Sequence, residues 1–454
     1  MKEIFQPDPS VLKILRNQAW QNQSGMHMSV FVITCNIDGS WYLFHNLTKQ
    51  CISLDEVEKK ALGDGAVTIQ EVMESNLLTF LADKWFLVPV GKDEMQIYEG
   101  VVQLLRSLSI KKHIDHFTIL PTNRCNARCF YCFEENFNPV TMNEETTNQT
   151  VDYILRTMKK GESIQLGWFG GEPLVAVGVI DSICDGLRRE NVTFASVMTS
   201  NGILIDDPII RRMKKDWNLK RIQISVDGEE TEYNRRKRVY GNYQSAYQVV
   251  MKNIQKLLDA GIEVLVRCNV DSENIKSLNL FIDDYAARFS GKKGIGLSFV
   301  TLYGERKKVA FGSLLKKCHE AEDYAVSKGV ICNRNLLTHR LKIFHCKADQ
   351  PCGCTVIAPD GLLYKCEHCI QDTSYGNIFD GILKPDLING LERAEQVSDK
   401  CNSCAFLPDC TTFSACPIKD TYDCKGIGRE LFEYRMKNSL ATRTIDGSKE
   451  IEIC

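Results

Sequence analysis

The sequence has no long apolar run and no excess of charge of one sign. No stretch reaches the roughly 18 apolar residues that a membrane-spanning helix requires, and residues 1–8 lack the apolar run of a secretory signal. Lysine and arginine total 56 against 58 aspartate and glutamate residues, so the formal net charge is -2 at pH 7. This balance gives no general reason to expect nucleic acid or an anionic membrane as a partner. We therefore expect a cytoplasmic protein that binds neither nucleic acid nor membrane.

Cysteine is the residue that the chain has in excess. There are 20 cysteines among 454 residues. A reducing compartment disfavours structural disulfides, so the cysteines are better explained as ligands of metals or iron–sulfur clusters. Ten of them lie between Cys346 and Cys424, which is too dense for an even spread. The length predicts two to four domains, and 44% hydrophobic with 25% charged residues is typical of globular protein.

Earlier in the chain, Cys125, Cys129 and Cys132 form the motif C-x3-C-x2-C. A structural zinc site takes four protein ligands. A [4Fe–4S] cluster held by only three cysteines leaves one iron for a ligand that is not protein. The alternative is three buried or disulfide-bonded cysteines, which is disfavoured because the rest of the sequence supplies matching parts.

From residue 114 onwards, strand-like segments alternate with helical ones. Apolar residues recur at helical spacing between the strands, as at positions 151, 154, 155 and 158. Six β/α units predict an α/β fold with a parallel sheet and helices outside it, short of the eight units of a closed TIM barrel. The predicted strands are 114–122, 163–169, 194–199, 221–226, 263–270 and 294–302.

The cysteine motif and the six β/α units together resemble the radical S-adenosylmethionine (radical SAM) enzymes over roughly residues 110–305. The resemblance implies an open partial TIM barrel, (β/α)6, in which the free iron of the first cluster binds the amino and carboxylate groups of S-adenosylmethionine. It places Tyr131, the residue before the last cysteine, beside the adenine. It also implies reductive cleavage of S-adenosylmethionine to a 5′-deoxyadenosyl radical, which takes a hydrogen atom from an unactivated carbon of the substrate.

Glycines and polar residues follow the predicted strands, at the ends where ligands gather in parallel α/β folds. After the second strand, Gly170, Gly171 and Glu172 resemble the family's Gly-Gly-Glu-Pro motif, which meets the methionine amino group of the cofactor. Other residues resemble family positions that contact the rest of the cofactor: Ser200, Asn201, Ser225, Asp227, Arg238, Arg267 and Asn269. The alternatives are ordinary Asn-Gly and Asp-Gly turns and, for the basic run at 235–238, a solvated surface. No residue is assigned as a catalytic acid or base.

The C-terminal cysteines have regular spacings of their own. They run C-x5-C over 346–352, then Cys366 five residues beyond Gly361, then C-x2-C-x5-C-x5-C over 401–416, with a last cysteine at 424. Eight thiolates match two [4Fe–4S] clusters, and the pattern resembles the SPASM domain, an auxiliary-cluster extension of radical SAM enzymes that modify peptides and proteins. The resemblance assigns four ligands to each cluster: Cys346, Cys352, Cys366 and Cys416 to the first, and Cys401, Cys404, Cys410 and Cys424 to the second.

Alternatives stay open in this region. Five residues separate Cys410 from Cys416 where three are usual, which weakens the assignment of Cys416. Cys354 is a substitute for Cys352, and Cys369 lies close to Cys366 in the sequence. A zinc ribbon is the rival interpretation of the C-x2-C pair.

The first hundred residues predict a separate module. Segments 29–34 and 41–45 are predicted strands joined by a hairpin turn at 37–40. Ser53 is a candidate helix N-cap, helices follow at 68–74 and 76–82, and 85–90 is a last strand. This order resembles the winged-helix peptide-recognition element of many peptide-modifying radical SAM enzymes. The resemblance implies that a leader peptide adds a strand to an exposed sheet edge; the alternative is a structural N-terminal cap.

Four regions are therefore expected: a winged-helix-like recognition domain (1–108), a radical SAM partial barrel (109–308), a bridging region (309–345) and a SPASM domain (346–454). The resemblance implies S-adenosylmethionine, three [4Fe–4S] clusters and a reductant such as flavodoxin or ferredoxin. It implies a ribosomally made precursor peptide as substrate and an intrapeptide thioether or carbon–carbon crosslink as product. The alternatives are a sulfatase-maturing enzyme that oxidises cysteine or serine to formylglycine, and a non-catalytic iron–sulfur electron carrier.

Overall fold

The computed structural model describes residues 1–15, 24–63, 65–135, 137–302, 305, 311–332, 336–344, 346–349, 353–370, 374–389, 401–410 and 424–443. Three sheets hold the strands of these segments: one of four strands and one of three before residue 90, and one of ten strands beyond it. Among the helices of these segments, none has the length and apolar character needed to cross a lipid bilayer.

Two antiparallel sheets and five helices build the described part of the N-terminal module. The strands are β1 (Lys2–Phe5), β2 (Gly25–Met28), β3 (Val32–Ile37), β4 (Ser40–His45), β5 (Gln50–Leu54), β6 (Val67–Thr68) and β7 (Leu87–Pro89). The helices are α1 (Pro9–Leu15), α2 (Glu56–Ala61), α3 (Ile69–Glu74), α4 (Asn76–Asp83) and α5 (Glu94–Ser109). The strand order is β1-β5-β4-β3 in one sheet and β6-β2-β7 in the other.

The hairpin predicted at 37–40 is confirmed. Ile37 of β3 pairs with Ser40 of β4, and the two residues between them have positive φ, 50° at Asp38 and 83° at Gly39. Positive φ at both central positions defines the type I′ turn, whose twist matches a two-residue hairpin. The helices predicted at 68–74 and 76–82 are confirmed as α3 and α4.

The N-cap predicted for the next helix is wrong. Asp55, not Ser53, caps α2: its carboxylate accepts a hydrogen bond from the Glu58 amide, and the Glu58 carboxylate accepts one from the Asp55 amide. The reason is that Ser53 still belongs to β5, where it pairs with Tyr42. Strand pairing therefore continues to the residue before the cap and moves the start of the helix along the chain.

The six parallel strands predicted for the barrel are confirmed. They lie side by side in chain order, so that each strand pairs with the next one. Their ends differ from the predicted ends by a few residues at most. The strands are β8 (His116–Ile119), β9 (Ile164–Trp168), β10 (Phe194–Ser200), β11 (Leu219–Ser225), β12 (Glu263–Val270) and β13 (Ile295–Thr301).

The helices of the barrel turn their apolar stripes toward the sheet. In the fifth of them the residues at helical spacing, 247, 250, 251, 254 and 257, are buried in the same apolar core as the strands, which is where most of the stability of such helices arises. The helices are α6 (Glu144–Thr157), α7 (Val177–Arg189), α8 (Asp207–Lys215), α9 (Glu230–Lys237), α10 (Ala246–Asp259), α11 (Leu278–Phe289) and α12 (Phe311–Ser327).

The cysteine-rich tail joins the barrel sheet directly, which was not predicted. β14 (Cys354–Ile357) pairs in parallel with β8, and all four of its residues are buried. Short antiparallel strands then extend the sheet: β15 (Leu362–Tyr364), β16 (Gly376–Asn377) and β17 (Gly381–Ile382). Two more helices follow, α13 (Asp386–Asn389) and α14 (Cys424–Arg443). The six predicted parallel strands thus gain a seventh from the tail.

The N-terminal module is also fastened to this tail. Lys49 Nζ lies 2.7 Å from Asp409 Oδ1, and Arg106 Nη2 of α5 lies 2.9 Å from Asp349 Oδ1. Phe44 of β4 packs against Phe432 of α14 with 5.3 Å between the ring centroids. The module, the barrel and the tail are therefore in direct contact rather than joined by linkers alone.

Candidate active site

The three cysteines of the C-x3-C-x2-C motif lie in the loop that follows β8. Asn201 Nδ2, at the end of β10, lies 3.9 Å from Cys125 Sγ, and Cys129 Sγ lies 4.0 Å from the carbonyl oxygen of Lys237, at the end of α9. Burial raises the pKa of Cys125 to about 12 and also raises the pKa of Cys132, and the neighbouring thiols of the motif add to both shifts. The loop is therefore held against several strand ends with its thiols close together.

Gly170 and Gly171 allow the end of β9 to touch this loop. Gly170 has φ of 110°, and a Cβ atom there would lie 2.3 Å from the carbonyl oxygen of Thr122. A Cβ atom on Gly171 would lie 2.4 Å from the carbonyl oxygen of Arg124. Both glycines were predicted to let the backbone approach the cofactor; in the structure their lack of a side chain lets the backbone approach the cysteine loop.

Glu172 is fully buried behind the cysteine loop. Its carboxylate accepts hydrogen bonds from Ser200 Oγ at 2.9 Å, from the Asn201 amide at 2.7 Å and from the Leu174 amide at 3.2 Å. Burial nevertheless raises the pKa of Glu172 to about 7, because desolvation outweighs these donors. The structure thus brings together Glu172, Ser200 and Asn201, three residues that the sequence predicted for the site.

A second polar cluster surrounds Asp227, which follows β11 and is fully buried. Lys237 Nζ lies 2.9 Å from its carboxylate, the Tyr131 hydroxyl donates a short hydrogen bond to it, and Asn269 donates from its amide and side chain at 3.0 and 2.9 Å. Burial alone would raise the pKa of Asp227, but Lys237 and these donors outweigh it and hold the pKa below its usual value. An ionised carboxylate is therefore held between the cysteine loop and the strand ends.

Two further predicted residues adjoin this cluster. Ser225 Oγ accepts a hydrogen bond from Lys237 Nζ at 2.8 Å. Arg267 Nε lies 3.0 Å from Asn269 Oδ1, and Asn269 in turn donates to the Tyr131 hydroxyl at 3.2 Å. The predicted residues after β11 and on β12 thus form one hydrogen-bonded group with Tyr131 of the loop.

Within the basic run at 235–238, the side chain that reaches this cluster is Lys237, which the sequence did not single out. Arg238 is exposed and ends α9 with φ of 47°. Arg236 is fully buried against Asp271, with Nη2 to Oδ2 at 2.8 Å. α9 ends at Lys237, so that Arg236 and Lys237 of its last turn are buried, Arg235 is exposed and Arg238 begins the loop.

Glu134, two residues after Cys132, is a second residue that sequence reasoning missed. It is buried, and neither of its carboxylate oxygens has a hydrogen-bond partner among the described residues. Burial raises the pKa of Glu134 to about 7. Its position in the motif Cys132-Phe133-Glu134 was visible in the sequence, but its burial was not, so no pattern pointed to a carboxyl group that titrates near neutral pH.

The C-terminal cysteines are described in part. Cys346, Cys366, Cys401, Cys404 and Cys410 lie within the described residues, whereas Cys352 and Cys416 lie outside them, as does the side chain of Cys424. Cys354, the substitute for Cys352, is buried at the start of β14, with Sγ 2.8 Å from the Lys347 carbonyl oxygen. The side chains of Cys366 and Cys369 form a hydrogen bond. This bond and burial both raise the pKa of Cys366.

Within the described segments, no three Cys, His, Asp or Glu side chains surround a space suited to a single metal ion. Ligands of one zinc ion all lie within about 2.3 Å of it, whereas each thiolate of a [4Fe–4S] cluster binds a different iron. Three thiols on one loop, with Glu172 and Asp227 buried nearby, are the donor set that such a cluster and a cationic, amino-acid-like ligand require. The residues present fit the implied group.

Residues 119–284 match the model of the radical SAM superfamily. This segment begins at the end of β8, contains the cysteine loop and reaches into α11, so it includes every site residue described from Tyr131 to Asn269. The chain therefore contains a radical SAM domain.

Several known proteins are similar to the chain over longer stretches. The GTP 3′,8-cyclase of Clostridium perfringens (strain SM101 / Type A) is 26% identical over 277 residues, which are 57% of this chain and 81% of that protein. The radical SAM cyclopropyl synthase TigE of Paramaledivibacter caminithermalis is 20% identical over 414 residues, 86% of this chain and 85% of TigE.

Solved structures share the fold. The structure of native anSMEcpe with bound AdoMet has a TM-score of 0.57 and 18% identity, and it covers 73% of this chain and 100% of that one. Streptococcus suis SuiB bound to its precursor peptide SuiA has a TM-score of 0.51 and 14% identity, over 87% of this chain and 96% of that one. The likeness to SuiB also extends over a larger share of this chain than the radical SAM domain does.

We predict that Glu172 makes the stability of the cofactor-free protein fall as pH rises. Its pKa is about 7 in the folded protein and about 4.3 in an unfolded chain. Below the lower value the carboxyl group is protonated in both states. Between the two, unfolding releases a proton, so higher pH favours unfolding. For both proteins the free energy of unfolding is compared at pH 4.5 and pH 8. We expect the decrease over this range to be larger in the wild type than in Glu172→Gln, by on the order of 2 kcal/mol.

Urea denaturation at each pH measures this difference. The exposed Glu190→Gln variant serves as the control and should follow the wild type. Identical pH profiles for the wild type and Glu172→Gln would contradict the buried, proton-holding carboxyl group.

Proposed function

We propose that the chain is a radical SAM peptide maturase, which takes a hydrogen atom from a ribosomally made precursor peptide and installs an intrapeptide thioether or carbon–carbon crosslink. The observation that carries the proposal is the cysteine loop at the strand ends, with its three close thiols and two buried carboxylates behind it. Bound there, a [4Fe–4S] cluster and S-adenosylmethionine supply the means to abstract a hydrogen atom from an unactivated carbon.

The chain's own residues bind and orient the cofactor. Cys125, Cys129 and Cys132 would hold the cluster, and their thiols would release their protons to solvent as they bind iron as thiolates. Glu172 accepts from the cofactor's ammonium group and becomes ionised in that contact. Tyr131 packs beside the adenine, as the resemblance implies.

The remaining contacts follow from the two polar clusters. Ser200 and Asn201 are fixed by Glu172 and by the cysteine loop, and they would contact the ribose, as the resemblance implies. Ser225, Asp227, Arg267 and Asn269 form the hydrogen-bonded group on the other side of Tyr131, and Lys237 keeps Asp227 ionised. In place of the exposed Arg238, Lys237 would be the cation of this run that binds the cofactor's carboxylate.

The C-terminal cysteines are proposed to hold two further [4Fe–4S] clusters. Cys346, Cys352, Cys366 and Cys416 ligate the first, with Cys354 as the substitute for Cys352, and Cys401, Cys404, Cys410 and Cys424 ligate the second. The chemistry that such clusters would supply is acceptance of the electron left on the product, which would make the overall reaction an oxidation. A flavodoxin or ferredoxin supplies the electron for the first cluster.

The N-terminal module is proposed to bind the leader of the peptide as a winged-helix-like recognition domain. A cavity of about 380 Å³ between its two sheets supports this role, since pockets for small ligand groups measure about 300–1,000 Å³. An extended leader would add a strand at β6 and place an apolar side chain in the cavity. The apolar residues that line it include Met28, Leu43, Leu62, Val67, Leu78 and Leu87.

The relatives are consistent with a peptide substrate. SuiB is crystallised with a precursor peptide and TigE is named a cyclopropyl synthase. The second candidate function, a sulfatase-maturing enzyme, is favoured by the likeness to anSMEcpe, a sulfatase maturase that this chain covers over its full length. The chemistry of the product separates the two: formylglycine, from cysteine or serine, carries an aldehyde that reacts with hydroxylamine, whereas a crosslink removes two hydrogen atoms from the peptide, keeps its sulfur and leaves no aldehyde.

The first test is cofactor cleavage. We expect anaerobically reconstituted protein with dithionite to convert S-adenosylmethionine to 5′-deoxyadenosine, and Cys129→Ala to lose this activity because the cluster loses one of three ligands. Cys184→Ala, which removes a cysteine buried in the apolar core, should retain it. Liquid chromatography of the reaction measures both. Equal 5′-deoxyadenosine from Cys129→Ala and the wild type would rule out the proposed site.

The second test concerns the leader. Val67→Trp fills the cavity, so kcat/KM for a precursor peptide with its leader should fall at least about tenfold, equivalent to about 1.4 kcal/mol. Cleavage of S-adenosylmethionine without peptide should stay unchanged. Val57→Trp is the matched control, since Val57 on α2 is 78% exposed. Mass spectrometry of the peptide over time measures the rates, and equal rates for the two variants would refute recognition through this cavity.

A further inference from the structure

Buried positive charge gathers beside the loop that carries Cys401, Cys404 and Cys410. Lys49 of the N-terminal module is fully buried, and its Nζ lies 2.7 Å from Asp409 Oδ1 and 2.7 Å from Asn46 Oδ1. Asn46 Nδ2 donates to the Ala405 carbonyl at 2.9 Å. The turn between β4 and β5 therefore packs directly against the loop at 401–410, and its Lys49 places a positive charge there.

Two further cations belong to the same place. Lys342 lies between Leu341 and Ile343, which pack in one apolar cluster with Cys401 and Cys404. Arg435 precedes Met436 on α14, which packs in another cluster with Ala405 and Phe406. The Arg435 Nε is buried, and no hydrogen-bond partner for it exists among the described residues.

The charges of these groups do not balance. Burial lowers the pKa of Lys49, Lys342 and Arg435, and Lys342 and Arg435 lower the pKa of Lys49 further, so the three cations lie within each other's fields. Among the residues that the structure describes, Asp409 is the one carboxylate that acts on all three. Burying a charge without a partner is costly, so an anion bound beside these three cations would stabilise them.

We propose that Lys49, Lys342 and Arg435 form a cationic seat for the second auxiliary cluster. The inference rests on the proposed function for the existence of that cluster. A [4Fe–4S] group with four thiolates carries a net charge of about −2 and gains one more negative charge on reduction, so it supplies the missing anion. The loop beside the seat contributes three of the four thiolates.

The seat has a consequence for electron transfer. Nearby charge is one of the factors that set the reduction potential of an iron–sulfur cluster, and buried cations favour the more negative, reduced state. The second cluster is thereby a better electron acceptor than it would be without these cations. Because Lys49 belongs to the N-terminal module, part of this seat is supplied by the domain proposed to bind the leader peptide.

The test uses a full-length parent protein with Cys125, Cys129 and Cys132 replaced by alanine, which keeps only the auxiliary clusters. Redox titration followed by electron paramagnetic resonance measures their potentials. Arg435→Met is the main variant, since the Arg435 Nε has no partner to leave unpaired. We expect it to make reduction of one cluster at least tenfold less favourable, a potential about 59 mV more negative, and to leave the other unchanged.

Matched variants separate charge from packing. Arg435→Lys keeps the charge and should keep the potential. Lys256→Met removes one positive charge on the outside of the barrel, where Lys256 pairs with Asp207, and should have no effect. The double variant Lys49→Met with Asp409→Asn removes a cation and an anion together and should shift the potential less than Arg435→Met does.

Every outcome bears on the seat. A shift confined to Arg435→Met supports it, as does loss of about four irons from Arg435→Met but not from Arg435→Lys. Equal potentials in Arg435→Met and the parent, iron loss in both Arg435 variants, or a parent that binds no auxiliary cluster would overturn it. The parent cannot cleave S-adenosylmethionine, so these results do not depend on catalysis. If the wild type failed to carry out the proposed reaction, a measured shift of the reduction potential would still support the cationic seat.

Discussion

The buried ion pair between Asp227 and Lys237 is the constraint on which the site depends. Removing two charges from water is costly, and the pair is tolerated only because Tyr131, Ser225 and Asn269 satisfy the remaining hydrogen bonds. These partners come from the cysteine loop, from β11 and from β12. The two buried charges are therefore compensated only when the cysteine loop, β11 and β12 are all in place.

The same constraint positions the cysteines. The backbone carbonyl of Lys237 contacts Cys129 and accepts a hydrogen bond from the Arg128 amide at 3.1 Å. On the other side of the loop, the backbone of Gly171 and Glu172 bonds to the carbonyl groups of Thr122 and Arg124. The thiols are thus fixed between the ends of β9 and α9, so that their geometry follows from packing that exists without the cluster.

Sequence reasoning captured the periodic parts of this architecture. Six strands alternating with apolar-striped helices could be predicted because both periods are local, and residues at the strand ends followed from the parallel topology. The predictions at Glu172, Ser200 and Asp227 depended on that rule, and the structure brings all three to the strand ends behind the cysteine loop.

The parts that could not be predicted are long-range or depend on burial. The pairing of β14 with β8 joins residues more than 200 positions apart, and no local pattern specifies the partner of a short buried strand. Lys237 lies in a run of four basic residues, and only the tertiary packing of α9 shows that Arg236 and Lys237 are the buried ones. No pattern in the sequence singles out Lys49, and only the contact with Asp409 shows it to be a buried charge.

The central claim is that the Asp227–Lys237 pair builds the cofactor pocket, and the affinity for S-adenosylmethionine tests it most directly. Isothermal titration of reconstituted Lys237→Met should show binding at least about tenfold weaker than in the wild type, about 1.4 kcal/mol, because Asp227 loses its cation and Tyr131 a hydrogen-bond donor. Lys256→Met, which removes a lysine from the outer face of the barrel, should bind as the wild type does. Unchanged affinity in a folded, cluster-loaded Lys237→Met protein would contradict the account.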